Sequence, residues 1–254
     1  MKTSSSIPNK SMLTSLMTVL MTLCNVLYIS YAIPARKLRA LLPEFLKLAT
    51  LEEDTAFLSI VVLQSTKVHL NSLPFARFNY NQLNIRTYII DPVTGYHGVY
   101  FLRSGVTSRF ISLATRTLGV PWQHINLEVQ VTHDSKNLRS YAAAGKWQEK
   151  YNFTAVELAT PSRKLKSFAD VKSAVDYIVR PLIGFFGDRE RVGRFNIWHQ
   201  DIMPQIWQLQ QIDFPLLSEL GIIEEVTKPH SVFFLAQADF SIYMPPTFIN
   251  RKRG

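Results

Sequence analysis

The chain has 254 residues, 47% of them apolar and 12% aromatic, enough for one large hydrophobic core and too many for a disordered chain. The formal net charge is +9, and only 19% of residues are charged, below the usual quarter. The basic residues form short clusters without interleaved aromatic residues, so nucleic-acid binding is not predicted.

The first 24 residues are predicted to form an apolar, amphipathic helical segment. Serine and threonine residues interrupt the apolar run at helical spacing and leave Leu13, Leu16 and Leu20 on the other face. The β-branched and aromatic residues at 25–33 predict a buried strand. A secretory signal or membrane anchor at 12–33 is the alternative, because this stretch carries no charge and is long enough to span a bilayer. We therefore expect a cytoplasmic protein, with a secreted or membrane-anchored protein as the alternative.

The next segments alternate between helical turns and strands. A helical turn is predicted at 35–42, a central strand at 55–63, and a hairpin at 82–90 and 97–102 around a turn at 91–95. In the first hairpin strand Gln82, Asn84 and Arg86 share one side. A helix capped by Thr107 or Ser108 follows. Its predicted core stripe consists of Phe110, Leu113, Ala114, Thr117 and Leu118.

The second half of the chain is predicted to be mostly strands. They lie at 125–131, 138–142, 151–158, 195–199, 232–236 and 239–243, with one helix from a capping box at 167–170 to residue 179 and a weaker helix at 205–220. Many strands with few helices indicate an α+β protein built on a closed or half-closed barrel. We predict a single domain at 25–249 and a basic tail at 250–254. Homo-oligomerisation stays open.

Several short motifs resemble, in their order and spacing, the YqjF-like family of uncharacterised conserved proteins. They are IPARKLRALLP at 33–43, NIRTY at 84–88, GVYFL at 98–102, LGVPW at 118–122, NIWH at 196–199 and KPHSV at 228–232. That family is similar in fold to acetoacetate decarboxylase. The resemblance implies a mainly antiparallel, cone-shaped β-barrel of the acetoacetate decarboxylase type with a few flanking helices. It also implies an internal small-molecule cavity into which Gln82, Asn84 and Arg86 would point.

The same resemblance argues against the decarboxylase reaction. That reaction needs a lysine amine to form a Schiff base with a ketone, and in the decarboxylase paired lysines directly follow a Gly-x-Pro turn. Here Trp122 and Gln123 follow the turn that ends at Pro121. Gln82 stands where the decarboxylase has a carboxylate. The resemblance therefore implies a barrel without the Schiff-base lysine.

Two functional hypotheses follow. The first is a small-molecule-binding barrel in which Arg86 contacts an anionic or oxo-acid-like ligand. Trp122 would shape its pocket, with Gln82, Asn84 and His124 as further lining residues. The alternative is a lyase or hydratase acting on a short oxo-acid, with His124 or His199 as the acid/base.

Neither hypothesis assigns a cofactor or a metal. Cys24 is the only cysteine, the six histidines lack metal-ligand spacing, and no phosphate-binding glycine loop is present. The chemistry of the second hypothesis would therefore rest on histidine alone. Asp201, two residues after His199, would orient that histidine if the strand continues.

Overall fold

A computed structural model describes residues 17–51, 54–133, 138–160, 165–222 and 228–250. The described residues form fifteen strands and four helices. The strands are β1 (Thr18–Pro34), β2 (Lys47–Leu48), β3 (Thr50–Leu51), β4 (Thr55–Leu70), β5 (Phe78–Ile90), β6 (His97–Val106), β7 (Gln123–His124), β8 (Asn126–His133), β9 (Arg139–Trp147), β10 (Glu149–Glu157), β11 (Ile183–Gly187), β12 (Arg191–His199), β13 (Gln205–Asp213), β14 (Ser231–Tyr243) and β15 (Thr247–Asn250). The helices are α1 (Ala35–Arg39), α2 (Arg109–Thr117), α3 (Val171–Ile178) and α4 (Leu216–Glu219).

Seven strands close into a ring in the order β12-β11-β6-β5-β4-β1-β14, and β14 pairs back with β12. All pairs in the ring are antiparallel except β6 with β11. The long strand β14 also pairs with β13 near its beginning. From there β13, β10, β9 and β8 extend the sheet beyond the ring. The α+β fold with a mainly antiparallel barrel and a few flanking helices is thus confirmed.

Strands β1, β4 and β5 of the ring are buried on both faces over much of their length, which explains their nearly continuous apolar sequence. One face packs against β8, β9, β10 and β13 around residues such as Ile60, Leu83 and Phe153. The opposite face, toward the interior of the ring, packs against helix α3. Phe186 and Phe195 of β11 and β12 extend this inner core. The inner face carries the polar side chains described below.

Two predicted helices are strands in the structure. Residues 18–24, predicted as the end of an amphipathic helix, are the first half of β1 and pair with both β4 and β14. Thr18, Met21 and Leu23 are buried there, because two neighbouring strands satisfy the backbone and cover the side chains. Residues 205–213, predicted as a helix, are β13, whose Trp207 stacks on Phe234 at 4.2 Å between ring centroids. Tertiary pairing outweighs local helical spacing in both segments.

Helix α2 exposes the stripe that was predicted to face the core. Phe110 is 60% and Leu113 66% exposed. The opposite side faces inward instead, where Ile111 packs against the inner core and the Ser112 hydroxyl donates to the Trp122 carbonyl at 3.0 Å. Ser108, one of the two predicted caps, accepts from the Ile111 amide at 3.3 Å. The prediction is right about the position of this helix and wrong about which of its sides faces the core.

The predicted capping box at 167–170 begins three residues later. Asp170 caps α3 by accepting from the Ser173 amide, and the Ser173 hydroxyl completes the box. Residues 1–16 of the predicted N-terminal segment and 251–254 of the predicted basic tail lie outside the described residues. In the described part of the chain, no helix combines the length and apolarity needed to cross a membrane.

Candidate functional site

Strand β5 carries a row of side chains on the inner face of the ring, all of them buried except the partly buried Arg86. Tyr80, Gln82, Asn84, Arg86 and Tyr88 alternate with residues of the outer face, because successive strand residues point to opposite sides. Gln82 is 7% and Asn84 4% exposed. The row spans roughly 26 Å at about 3.3 Å per residue. The polar residues that the sequence assigned to a ligand therefore share one buried face.

Arg86 lies in the middle of an aromatic and hydroxyl environment. Its Nη2 donates to the carbonyl of Ile178 at 2.6 Å, and its guanidinium carbon lies 5.4 Å from the ring centroid of Tyr28 and 5.7 Å from that of Tyr88. Its Nε is buried without a hydrogen-bond partner. Within the described ranges no carboxylate forms an ion pair with Arg86. In the described structure the Nε of this cation is thus a buried donor without a partner, and no ion pair neutralises its charge.

A chain of hydroxyl groups fixes the position of this end of the row. The Tyr88 hydroxyl donates to the Ile178 carbonyl at 3.0 Å and lies 2.6 Å from the Ser59 hydroxyl. Ser59 in turn lies 2.7 Å from the Ser30 hydroxyl. Ile178 is the last residue of α3, and the carbonyl end of a helix favours a nearby cation. The helix end thus stabilises the Arg86 charge only in part, since a backbone carbonyl carries no full negative charge.

Amide and hydroxyl groups continue the row beyond Arg86. The Gln82 amide nitrogen donates to the Asn84 side-chain oxygen at 2.9 Å. Ser104 is the cross-strand partner of Asn84 on β6, so its side chain lies on the same face. The Ser104 hydroxyl is buried and has no hydrogen-bond partner in the described structure. A ligand that accepts or donates hydrogen bonds would satisfy these groups.

His97 is a polar residue of this site that the sequence analysis missed. Its ring stacks parallel to Tyr88, with centroids 5.4 Å apart, and lies 4.2 Å from the Tyr177 ring. Its Nε2 is buried and has no partner among the described residues. Burial, together with the nearby Arg86 charge, lowers the pKa of His97 to about 3. The imidazole is therefore neutral at physiological pH and does not add a second cation beside Arg86.

We expect His97 to make the protein less stable in acid. The folded pKa lies below the ordinary value of about 6.5, so the stabilising contribution is complete above pH 6.5 and is lost as the pH falls toward 3. In this window the free energy of unfolding should fall by up to about 1.4 kcal/mol per pH unit. Urea unfolding of His97→Phe between pH 7 and 4 should show a shallower loss. The exposed His124 gives the control, His124→Gln, and an unchanged slope in His97→Phe would contradict the assignment.

Trp122 lies at the other end of the row. Its ring packs beside Tyr80, with centroids 6.4 Å apart, and its backbone amide closes a turn on Val120. Tyr80 and Arg86 are six residues apart on β5, which corresponds to about 20 Å. Trp122 and Arg86 therefore mark opposite ends of the polar row. Gln82 and Asn84 lie between them.

No buried lysine accompanies this row in the described parts of the chain. Lys37 is half-buried on α1, and the other lysines in these ranges, including Lys146, are exposed. Lys136 lies outside the described residues. A Schiff-base lysine needs desolvation or a neighbouring cation to be neutral near pH 7. The described lysines lack such burial.

Neither of the histidines named as acid/base candidates lies with Arg86. The side chain of His124 is exposed on the two-residue strand β7. His199 is half-buried at the end of β12, where its Nδ1 lies 2.7 Å from the Gln200 carbonyl. Asp201, considered above as an orienting partner of His199, is exposed and forms an ion pair with Arg180 at 2.8 Å. Neither histidine therefore lies beside Arg86, although His124 pairs with Val106, which is also the cross-strand partner of Gln82.

Comparison with known proteins connects this geometry to a family and a fold. The family model DUF2071, described as an uncharacterized conserved protein, matches residues 20–239. A search of curated proteins found no match. Three of the similar solved structures are 12–13% identical to the chain, so the likeness concerns the fold alone.

The first is an acetoacetate decarboxylase-like enzyme from Sphingomonas wittichii RW1 (TM-score 0.60, 13% identity, 91% of this chain and 93% of that chain). The second is the enduracididine biosynthesis enzyme MppR, complexed with the condensation product of pyruvate and imidazole 4-carboxaldehyde (0.62, 12%, 92% and 89%). The third is an acetoacetate decarboxylase from Legionella pneumophila (0.58, 12%, 96% and 93%). The chain thus shares its fold with these three proteins, one of which was solved with a bound small molecule.

Proposed function

Because the chain belongs to the DUF2071 family of uncharacterized conserved proteins and has the acetoacetate decarboxylase-like fold, we propose that it binds a small carboxylate-bearing molecule inside the strand ring. The observation that carries this proposal is Arg86. It is a partly buried cation whose Nε is fully buried without a hydrogen-bond partner, and no carboxylate pairs with it among the described residues. An ionised group in such a place is costly unless an anion accompanies it.

The surrounding groups fit a short oxo-acid or a related molecule. A carboxylate beside Arg86 would accept from the free Nε, which gives a charge-assisted hydrogen bond. Asn84 and Ser104 lie next along the inner face and offer hydrogen bonds to a second polar group. MppR, which shares the fold, has been solved in complex with pyruvate. Pyruvate is therefore the first ligand to test.

Binding in this proposal is non-covalent. Calorimetry with pyruvate and with its uncharged methyl ester should show binding of the acid and little binding of the ester, because only the acid carries the charge that Arg86 recognises. Borohydride treatment in the presence of pyruvate should leave the protein mass unchanged, since no Schiff base forms. Equal affinity for acid and ester would contradict an Arg86 anion site. A mass increase by the reduced adduct would contradict the non-covalent mode.

A charge placed next to Arg86 should weaken binding. In Asn84→Asp the new carboxylate lies about 6.6 Å along the strand from Arg86 and competes with the ligand for the cation. At an effective dielectric constant of about 20 this interaction is worth about 2.5 kcal/mol, or roughly a 70-fold loss of pyruvate affinity. Isothermal titration calorimetry measures the loss directly.

The control for this variant is Asn79→Asp. It adds the same charge to the same strand at an exposed position, and the new carboxylate can still accept from the Lys67 amide, as Asn79 does at 2.8 Å. We expect its affinity for pyruvate to stay within about twofold of the parent, because solvent screens exposed charges. An equal loss in both variants would indicate a general charge effect and would contradict a local site at Arg86.

A further inference from the structure

Six of the ten exposed large apolar side chains in the described residues lie in two segments, at 73–78 and 110–118. We call this set the aromatic patch: Leu73, Phe75, Phe78, Phe110, Leu113 and Leu118. The rings of Phe78 and Phe110 stack at 5.2 Å and join the two segments. Exposed apolar groups that cluster in this way indicate an interaction site rather than ordinary surface residues.

The backbone holds the aromatic patch outward. The Ala76 amide donates to the Leu73 carbonyl at 3.2 Å, which forms a turn and leaves Phe75 81% exposed. On α2 the inward contact of Ser112 with the Trp122 carbonyl fixes the helix rotation, so Phe110 and the neighbouring Leu113 face outward. The patch is therefore built by ordered local structure and is not the by-product of a frayed end.

The charged residues within the two segments of the aromatic patch all have one sign. Segments 71–78 and 107–119 contain Arg77, Arg109 and Arg116 and no acidic residue. The Arg77 Nε donates to the Pro74 carbonyl and the Arg116 Nε to the Trp122 carbonyl, which keeps both cations beside the patch. A two-fold contact between identical patches would bring these arginines together. An anionic lipid surface complements both the charge and the apolar side chains.

We propose that the aromatic patch docks the protein on the surface of an anionic lipid bilayer. Phe75, Phe110 and Leu113 enter the boundary between headgroups and acyl chains, and the three arginines contact lipid phosphate and carboxylate groups. The protein lies on the membrane by this surface. Neither the anion site at Arg86 nor the N-terminal segment is needed for this contact.

Co-sedimentation of the full-length protein with lipid vesicles tests the proposal. We expect binding to vesicles of equal parts phosphatidylserine and phosphatidylcholine, little binding to pure phosphatidylcholine, and a loss of binding as salt is raised. Phe75→Ser combined with Phe110→Ser should lower the partition coefficient at least tenfold, because the variant lacks two aromatic side chains that the bilayer would bury. Arg77→Gln should lower it about fivefold.

The matched control changes two exposed apolar residues outside the patch. Val93 is 69% and Met203 57% exposed, and Val93→Ser with Met203→Ser should bind vesicles as the parent does. Equal loss in the control pair, or equal binding to both kinds of vesicle, would overturn the proposal. The proposal would also be overturned if the protein stayed in the supernatant and formed a dimer, seen by sedimentation velocity, that dissociates in the Phe75/Phe110 variant. That result would assign the patch to a second copy of the chain.

Discussion

Arg86→Met is expected to abolish carboxylate binding without destabilising the protein. Loss of the partly buried cation should lower pyruvate affinity more than 100-fold, which corresponds to about 3 kcal/mol for a charge contact. The Ile178 carbonyl keeps the Tyr88 hydroxyl as its donor, so no buried acceptor is left without a partner. The free energy of unfolding should stay equal or rise, because the variant no longer holds a partly buried charge without a counter-ion.

Calorimetry and urea unfolding of the same protein measure both effects. Arg103→Met is the control, since it removes an exposed arginine from the neighbouring strand β6. We expect it to change neither pyruvate affinity nor stability appreciably. A purely structural Arg86 would give the reverse pattern, with lower stability in Arg86→Met and unchanged affinity for pyruvate.

Arg194→Met is expected to have the largest effect on stability. Arg194 forms an ion pair with Asp91 at 2.9 Å, and the Asp91 side chain is fully buried. The carboxylate also accepts from the Thr94 hydroxyl and the Val93 amide, so it organises the turn between β5 and β6. Removing the cation leaves a buried carboxylate without its counter-ion, which should lower the free energy of unfolding by about 3–5 kcal/mol.

The pH dependence of unfolding separates this pair from His97. Burial alone would raise the pKa of Asp91, but hydrogen bonds from Arg194 and Thr94 outweigh it and hold that pKa below its ordinary value. Its stabilising contribution is complete above the ordinary pKa of about 4 and is lost as the pH falls through the lowered value. His97 instead acts from pH 6.5 downward.

Urea unfolding at pH 7 and pH 3 is the measurement for Arg194→Met. The destabilisation should be large at pH 7 and smaller at pH 3, where the carboxylate of the variant is protonated. Arg189 is exposed in the turn before β12. The free energy of unfolding of Arg189→Met should therefore stay within about 0.5 kcal/mol of the parent value. An Arg194→Met protein as stable as the control at pH 7 would contradict the assigned ion pair.

The sequence predicted the polar row but not what surrounds it. Alternation along β5 is enough to put Gln82, Asn84 and Arg86 on one side. The resemblance to a barrel family then predicted that this side of β5 faces the interior of the barrel. The hydrogen-bond partner of Arg86 is 92 residues away in the chain, and only the packing of α3 on the inner face brings it there. Periodicity carries no information about such long-range contacts.

His97 and helix α2 show the same limit in two other ways. His97 was visible only as the first residue of a return strand, and its role depends on the rings of Tyr88 and Tyr177. On α2, apolar spacing located an amphipathic helix, but a short helix can turn its apolar side toward the core or toward a partner. The observed rotation places the Ser112 hydrogen bond and the apolar side chain of Ile111 on the inward side.

The proposed function depends on one contact, in which the Arg86 cation binds the negatively charged group of a ligand inside the strand ring. Nitrogen-15 NMR of arginine-labelled protein tests it most directly, because the Arg86 Nε–H resonance is identified by its absence from Arg86→Met. Titration with pyruvate should move this resonance in a saturable way, as expected for a new charge-assisted hydrogen bond. A resonance that stays in place while pyruvate binds elsewhere, or does not bind, would contradict the claim.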